Sequence, residues 1–204
     1  MTVKPSELLI GTRNRGKVRE IHEALKLLPL TLHDLTEYPN ISVPFESGSS
    51  YEENATIKAR HYATESSLWA LADDSGLEVT ALDGAPGVKS ARYGGDHASD
   101  LDRVDLLLSR ISDVPMSRRQ ATFVCVMVIA EPRGRLLHVA EGKCHGRLSS
   151  SPAGESGFGY DPIFIPDGYN QTFGEISAAI KNKISHRALA LASVREFLGS
   201  LTTG

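Results

Sequence analysis

The chain has 204 residues, of which 41% are hydrophobic, and this is enough apolar side chain for one domain with a substantial core. Its 22 basic and 25 acidic residues give a formal net charge of -3 without any block of like charge, which argues against an extended nucleic-acid or membrane surface. The two cysteines, Cys125 and Cys144, lie in strand-like segments, so no disulfide framework is expected and a reducing compartment is favoured. We therefore expect neither nucleic acid nor membrane as a partner.

Strand and helix signals alternate along the chain and predict a mixed α/β fold. Apolar, β-branched segments bounded by Gly, Pro or Asp predict strands at residues 7–12, 30–35, 68–72, 77–81, 121–130, 135–142 and 163–165. Apolar residues at helical spacing predict helices around residues 18–28, 101–111 and 191–198, and segment 51–66, which lacks Gly and Pro, predicts a fourth. The tetrapeptide EPRG suits a short turn and predicts a hairpin of the strands on either side.

The N-terminal sequence MTVKPSELLIGT has too short an apolar run for a secretory signal. The longest apolar stretch, residues 123–130, is much shorter than the about 20 residues that a membrane-spanning helix needs. We therefore expect a soluble, cytoplasmic protein. The sequence contains no internal repeat and no linker long enough to separate independent domains, so we expect a single domain over residues 1–204.

Residues 11–18, GTRNRGKV, follow a predicted strand and open a predicted helix. The spacing of the two glycines and Lys17 resembles a phosphate loop, but Val18 stands where a Ser or Thr hydroxyl would bind Mg²⁺. Free backbone N–H groups at the helix N-terminus still favour a phosphate there, and Asn14 and Lys17 add side-chain donors. An ordinary strand-to-helix turn with solvated basic side chains is the alternative.

Two adjacent carboxylates, Asp73 and Asp74, occur within the segment ALADDSGLEV. Neighbouring side chains of an extended backbone point to opposite sides, so one carboxylate can bind a cation while the other is held by nearby donors. The Ser and Gly that follow suit the end of the strand, and the alternative to a cation site is an ordinary turn, since Asp, Ser and Gly all favour turns. Glu46, in the loop PFESGSS, is a third carboxylate that could join this acidic centre.

Two further segments carry candidate binding side chains. In ENATIKAR, Asn54 and Lys58 are four residues apart and share a helix face, with a solvated face as the alternative. In GESGFGYDP, three glycines allow close backbone approach, and Phe158 and Tyr160 offer rings that could stack on a base. A turn with buried aromatic rings would have a similar sequence.

The segment IKNKISHRALAL breaks a local rule. Ser185 suits a helix N-cap, which puts His186 and Arg187 in the first turn, where the helix dipole disfavours positive charge. Violations of this kind concentrate at functional sites. For His186 alone, a core or surface histidine is the alternative.

In chain order, the blocks TRNRGK, ENATIKAR, ADDSGL, GAPGVKSARY, FGYDPIF and ISHRALAL span residues 12–191. Together they resemble the non-canonical purine nucleoside triphosphate pyrophosphatases, a family also called inosine triphosphate or dITP/XTP pyrophosphatases. The resemblance implies an elongated mixed sheet with flanking helices and two lobes that enclose a central substrate cleft. It also implies homodimers, Mg²⁺ dependence, and hydrolysis of ITP, dITP or XTP to the monophosphate and pyrophosphate.

The same resemblance assigns roles to residues of this chain. Glu46 and Asp74 would bind Mg²⁺, and Asp74 would also be the proton acceptor. The other catalytic residues would be Asp73, Lys17 and Lys58. The substrate contacts would be Thr12, Arg13, Asn14, Arg15, Gly16, Lys17 and Ser75, with Phe158, Gly159, Tyr160 and Asp161 framing the base and sugar, and Lys181, His186 and Arg187 reading the purine.

The expected selectivity follows from hydrogen bonding. A donor such as Arg187 would favour the 6-oxo group of hypoxanthine or xanthine over the 6-amino group of adenine. The sequence departs from the family pattern next to the residues that would contact the purine. Ala179 and Ile180 stand where acidic residues are expected, and Ala188 stands where Gly is expected. None of the three is a proposed contact residue.

Two other functions use the same residue types. A regulatory module could bind a nucleotide without turnover, but it would not require the acidic centre of Glu46, Asp73 and Asp74. An NTPase of another kind would release orthophosphate, so its product would distinguish it from a pyrophosphatase.

Overall fold

The computed structural model describes residues 5–201, which form a six-stranded mixed sheet with flanking helices. In chain order the elements are β1 (Glu7–Ile10), α1 (Arg15–Leu25), β2 (Thr31–Asp34), α2 (Tyr51–Ser66), β3 (Trp69–Val79), α3 (Asp100–Arg110), β4 (Gln120–Ala130), β5 (Leu136–Leu148), β6 (Phe164–Pro166), α4 (Ala178–Ile184) and α5 (His186–Ser200). The strand order is β2-β1-β3-β4-β5-β6. β1 pairs in parallel with β2 and β3, whereas β5 and β6 are antiparallel, which confirms the mixed α/β prediction.

One strand prediction is wrong in a way that matters for the site. Segments 68–72 and 77–81 were expected to be separate strands, with a turn at the Ser and Gly between them. In the structure they belong to the single strand β3, which runs through both aspartates. β3 lies beside β4, and each is 11 residues long, so pairing along a long neighbour outweighs the local turn propensity.

The other predicted elements are close to those observed. Helix α2 has the predicted bounds, α1 ends three residues before the predicted residue 28, and β5 continues six residues beyond 142. Helix α4 was not predicted, because its seven residues are too few to establish a helical period. β4 and β5 are neighbours joined by a turn in which the Gly134 amide donates to the Glu131 carbonyl. Such a short connection fits the predicted hairpin.

The chain forms two compact units, each with its own core. The first unit comprises residues 5–74, 125–142 and 187–201 of the described part. Its core contains buried side chains of β1, α1, β3, β4, β5 and α5: Leu8, Ile10, Ile21, Leu25, Trp69, Leu71, Cys125, Met127, Ile129, Ala140, Ala190, Leu191, Val194 and Leu198. The apolar faces that predicted α1 and α5 therefore pack into this core.

The second unit comprises residues 75–124 and 143–186. Its core is richer in aromatic rings, with centroids 4.6 Å apart for Phe123 and Phe164 and 5.1 Å apart for Phe164 and Phe173. Apolar residues of α3, including Val104 and Leu107, are buried with them. The single two-lobed domain over residues 1–204 and its substrate cleft stay predictions.

The remaining composition-based expectations concern sulfur and membranes. Within the described residues, Cys125 and Cys144 are buried free thiols, which confirms the expectation of no disulfide framework. Among residues 5–201, no helix is both long enough and apolar enough to cross a bilayer.

Candidate active site

Asp73 and Asp74 lie in the middle of β3, so the prediction that they end a strand is wrong. The prediction that they face opposite sides is confirmed by their contacts. Asp73 meets Lys17 and Arg187, whereas Asp74 meets a different lysine, Lys58. A continuous strand fixes both carboxylates through its backbone and separates them onto two surfaces.

The first carboxylate belongs to a chain of alternating charge, here called the Asp73 cluster, in which Asp73 and Arg187 are buried and Lys17 and Glu20 are half-buried. The Lys17 Nζ lies 2.9 Å from Asp73 Oδ2, and an Arg187 guanidinium nitrogen lies 3.4 Å from the same oxygen. The other terminal nitrogen of Arg187 lies 2.7 Å from Glu20 Oε2. Helix α1 supplies Lys17 and Glu20 one turn apart, β3 supplies Asp73, and the first turn of α5 supplies Arg187.

Asp73 is kept ionised by this cluster. Burial raises the pKa of Asp73, but Lys17, Arg187 and Lys58 outweigh burial and hold that pKa well below its usual range. The thiol of Cys125 lies 3.9 Å from Asp73 Oδ2, and burial raises its pKa to about 12, so it stays neutral and can only donate its proton. A carboxylate with so low a pKa is a poor proton acceptor, so Asp73 is suited to holding Lys17 in place.

The second carboxylate belongs to the Asp74 cluster: Asp74, Lys58, Glu46 and Asn54. The Lys58 ammonium lies 2.8 Å from Asp74 Oδ1 and 3.4 Å from Glu46 Oε1. The Asn54 amide donates to Asp74 Oδ2 at 3.3 Å. Asn54 and Lys58 share one face of α2, as their spacing predicted, and both are buried.

Burial is the largest influence on the pKa of Asp74. It raises the pKa of this carboxyl, and the nearby Lys58 ammonium does not fully offset it. For Lys58, burial lowers the pKa, but the carboxylates of Asp74, Asp73 and Glu46 outweigh it and raise the pKa overall. Lys58 therefore stays charged, while Asp74 has a stronger affinity for a proton than an ordinary aspartate, which suits a general base.

The residues of the Asp74 cluster fit Mg²⁺. Lys58 Nζ contacts both Glu46 and Asp74, so two carboxylates converge on one positive charge. Within residues 5–201, no group of three or more His, Cys, Asp or Glu side chains is arranged to hold a metal ion. Mg²⁺ does not need such a group, because it commonly uses one or two carboxylates and takes its other ligands from water and substrate phosphates.

The segment before α1 is held tightly against its neighbours. Gly11 donates its amide to the Leu71 carbonyl at 2.7 Å, and a Cβ at Gly11 would lie only 2.7 Å from the Tyr62 ring. Asn14 caps α1 by accepting from the Lys17 amide at 3.0 Å, and Thr12 Oγ1 accepts from the Asn14 amide at 3.3 Å. These contacts point the start of α1, with Gly16 and Lys17, toward β3.

The structure brings Lys17 to the acidic centre but places two predicted neighbours elsewhere. Arg13 and Arg15 line a cavity of about 760 Å³ together with Arg19 and His22. Arg13 also donates to the Ile41 carbonyl at 2.7 Å. Substrate contacts by Arg13 and Arg15 stay predictions.

The second unit holds a separate buried ion pair. Lys181 Nζ lies 2.6 Å from Asp161 Oδ2, which also accepts from the Phe158 amide at 2.8 Å. The same ammonium lies 4.9 Å from the centroid of the Phe158 ring and 5.8 Å from that of Phe173. Asp161, Lys181 and Phe158 therefore form one polar and aromatic group, and their contacts to a base stay predictions.

Two residues beside this pair have mainly structural contacts. Tyr160 is buried in the core of the second unit and donates to the Ser90 carbonyl at 3.0 Å. The alternative of a buried ring therefore fits Tyr160 better than base stacking. Gly159 has a φ of 60° and donates its amide to Asp100 Oδ2 at 2.7 Å.

His186 and Arg187 begin α5, as predicted, but their side chains have different surroundings. The His186 ring stacks on Phe123 with centroids 4.6 Å apart, whereas the Arg187 guanidinium belongs to the Asp73 cluster. Ser75 lies half-buried in β3. The proposed base contacts of His186 and Arg187 and the substrate contact of Ser75 stay predictions.

The assigned site residues omitted two members of the clusters. Glu20 pairs with Arg187, and its position three residues after Lys17 on a helix was the available signal. Asn54 had been noted for its spacing from Lys58 but given no role, because sequence alone does not show that its amide reaches Asp74.

Comparisons with known proteins find relatives that match nearly the whole chain. A sequence model described as the Ham1 family matches residues 8–197. The dITP/XTP pyrophosphatase of Desulforamulus reducens is 45% identical over 195 residues, covering 96% of this chain and 96% of that protein. The dITP/XTP pyrophosphatase of Geobacter sulfurreducens is 44% identical over 194 residues, covering 95% of this chain and 97% of that protein.

Solved structures of similar proteins share the fold of this chain. A HAM1 protein from Coxiella burnetii has a TM-score of 0.86 at 38% identity, covering 95% of this chain and 98% of that one. A nucleoside-triphosphatase / dITP/XTP pyrophosphatase from Mycobacterium abscessus has a TM-score of 0.74 at 41% identity, covering 92% and 98%. The resemblance inferred from the six sequence blocks is confirmed, and this chain belongs to the Ham1 family.

Proposed function

We propose that this protein hydrolyses ITP, dITP and XTP to the nucleoside monophosphate and pyrophosphate. The observation that carries the proposal is the Asp74 cluster, in which a buried carboxylate lies between a lysine ammonium at 2.8 Å and a buried amide at 3.3 Å. Family membership and the names of the related proteins support this choice of substrates.

At the phosphate end, Asp74 Oδ2 accepts the proton of the water that attacks the α-phosphorus. Asn54 donates to that oxygen, which has a second lone pair for the water proton. The bond between the α-phosphorus and the bridging oxygen breaks, and Lys17 and Lys58 offset the charge of the departing pyrophosphate. Mg²⁺, which Glu46 and Asp74 would hold, supplies neutralisation of phosphate charge when bound.

At the base end, we assign the reading of the 6-oxo group first to Lys181. Its ammonium is a pure donor, and Asp161 holds it beside the Phe158 ring. Adenine would present an amino donor to this ammonium, so no hydrogen bond could form between the two groups, at a cost of about 1–3 kcal/mol for the missing contact. Arg187 is assigned second, because two of its guanidinium nitrogens already contact Asp73 and Glu20.

A product experiment tests the proposal. The protein is incubated with ITP and Mg²⁺, and the phosphorus products are identified by ³¹P NMR. We expect IMP and pyrophosphate. Orthophosphate as the first product would favour an NTPase of another kind, and tight ITP binding without products would favour a regulatory module.

The assembly and location of the protein are also proposals. We infer a homodimer from family membership, and light scattering at micromolar concentration tests it, since a monomer there would contradict the inference. We infer a cytoplasmic location because the substrates belong to the cellular nucleotide pool. Fractionation of cells that produce the protein at its native level tests this inference.

A further inference from the structure

Asn54 is fully buried and contacts two parts of the first unit at once. Its side-chain oxygen accepts from the Gly48 amide at 2.8 Å, and its side-chain nitrogen donates to Asp74 Oδ2 at 3.3 Å. Gly48 follows Glu46 by two residues in the loop that leads into α2. One amide therefore joins the loop that carries Glu46 to the strand that carries Asp74.

The chemistry of the two contacts fixes the residue type. A backbone N–H can only donate, so it must face the amide oxygen, and an ionised carboxylate can only accept, so it must face the amide nitrogen. An aspartate at position 54 could satisfy Gly48 but would repel Asp74. An apolar side chain would leave the half-buried Gly48 amide and the buried Asp74 oxygen without this partner.

Gly48 is shaped for the same contact. A Cβ at this position would lie 2.6 Å from the Asn54 side-chain oxygen and 2.7 Å from the Glu53 Cβ. The absence of a side chain therefore allows the loop to approach α2 closely enough for the hydrogen bond to form. Two positions, one in the loop and one in the helix, depend on each other.

A simpler role is capping of α2, and neighbouring residues already perform it. Ser50 caps α2 by accepting from the Glu53 amide at 3.2 Å, and Glu53 accepts from the Ser49 amide at 2.6 Å and from its hydroxyl at 2.9 Å. These contacts tie the loop to the helix at an exposed surface. The Asn54 contact differs because it continues inward to Asp74.

We propose that Asn54 is a positioning residue that fixes Glu46 and Asp74 at the mutual distance needed to share one divalent cation. The inference rests on the proposed function, in which these two carboxylates bind Mg²⁺. Without the Asn54 amide, the Glu46 loop would keep its exposed contacts to α2 but lose its connection to Asp74. The affinity for the cation would therefore fall, and the loss of a residue that orients a metal ligand typically lowers it about 10–100-fold.

The test measures Mn²⁺ binding to the nucleotide-free protein by electron paramagnetic resonance, with Mn²⁺ as the probe for the magnesium site. We expect Asn54→Ala to raise the Mn²⁺ dissociation constant about 10–100-fold. Gly48→Ala perturbs the same contact from the loop and should also raise it. Hydrogen exchange at the Gly48 amide, which loses its acceptor in Asn54→Ala, reports the contact independently of activity.

Glu53→Ala is the matched control, because it removes exposed loop contacts from the adjacent helix position without touching Asp74. We expect it to change the Mn²⁺ dissociation constant less than about twofold, and Asn40→Ala, at an exposed asparagine, should leave it unchanged. Wild-type affinity in Asn54→Ala and Gly48→Ala, or an equal loss in Glu53→Ala, would overturn the positioning role. If Asn54→Ala does not fold, Gly48→Ala decides.

The outcome is separable from that of the proposed function. Pyrophosphate release from ITP is measured on the wild type, and Glu46→Gln tests whether Mn²⁺ occupies the assigned carboxylates. A wild type that does not cleave ITP but whose Mn²⁺ affinity falls in Asn54→Ala would contradict the function and support the positioning role. A wild type that binds no Mn²⁺, or whose binding is unchanged in Glu46→Gln, would overturn the positioning role.

Discussion

The Asp73 and Asp74 clusters are built around adjacent residues of one strand, yet their electrostatics are opposite. Asp73 has two cationic side chains within 3.4 Å and a pKa well below the usual range. Asp74 has one lysine and one neutral amide, and burial raises its pKa. Two adjacent buried carboxylates therefore differ in pKa mainly because different numbers of positive charges face them.

The difference separates a structural role from a chemical one. Asp73 balances Lys17 and Arg187, so its charge is part of what holds β3, α1 and α5 together. Asp74 is less fully compensated and is therefore available to a proton or a cation. Substitutions that remove one charge from each cluster should affect different measurements.

The largest effect is expected from Asp74→Asn. The amide keeps the shape of the side chain but loses the charge and the proton-accepting oxygen, so turnover of ITP should fall about 10²–10⁴-fold or more. Steady-state kinetics measure the fall, and equilibrium binding of ITP should persist. Near-normal turnover would show that Asp74 is not the proton acceptor, and the proposed difference in role between Asp73 and Asp74 would then be wrong.

Asp73→Asn should act mainly on stability. Lys17 and Arg187 would face a neutral amide in a buried site, and breaking a buried ion pair from one side typically costs about 3–5 kcal/mol. Denaturant unfolding measures the change in the free energy of unfolding. A variant as stable as the wild type, with only its turnover reduced, would show that the two aspartates do not divide their roles in this way.

Arg187→Lys sharpens the description of the Asp73 cluster. A lysine keeps the charge but has no planar fork to reach both Asp73 and Glu20, so we expect a loss of about 1–3 kcal/mol in the free energy of unfolding. The ratio of kcat/KM for ITP to that for ATP is measured on the same variant. A narrowed ratio would support the predicted base contact of Arg187, and an unchanged ratio would restrict this residue to the Asp73 cluster.

The smallest effects are expected in the pH dependence of stability in magnesium-free buffer. Ionised Asp73, with its lowered pKa, stabilises the fold above the unfolded value of about 4, and that contribution is lost as the pH falls toward the folded pKa. Asp74 has the opposite sign, because its raised pKa favours the protonated folded state as the pH falls. Each carboxyl changes the slope of the free energy of unfolding against pH by at most about 1.4 kcal/mol per pH unit.

Unfolding curves between about pH 3 and 6 test these signs. Relative to the wild type, Asp73→Asn should lose stability less steeply on acidification, and Asp74→Asn should lose it more steeply. Equal slopes in the two variants would contradict the assignment of opposite pKa shifts.

Sequence patterns predicted much of the fold because most elements carry a clear period. The Leu191, Val194 and Leu198 spacing placed α5, and the Asn54 and Lys58 spacing placed both side chains on one face of α2. The turn at Ser75 was predicted wrongly, because local propensity does not include pairing with a distant strand. Side-chain contacts such as Glu20 with Arg187 join residues 167 positions apart, which single-sequence patterns do not specify.

Because β3 is unbroken, its register determines which of the two aspartates is the proposed base. Both residues are aspartates, so nothing in their side chains makes one a base and the other an anchor. A shift of one residue along the strand would exchange the surfaces that they face, and it would also turn the buried Leu71 and Leu77 to the opposite sides. The apolar residues on either side therefore decide, through strand register, which aspartate meets Lys58 and which meets Arg187.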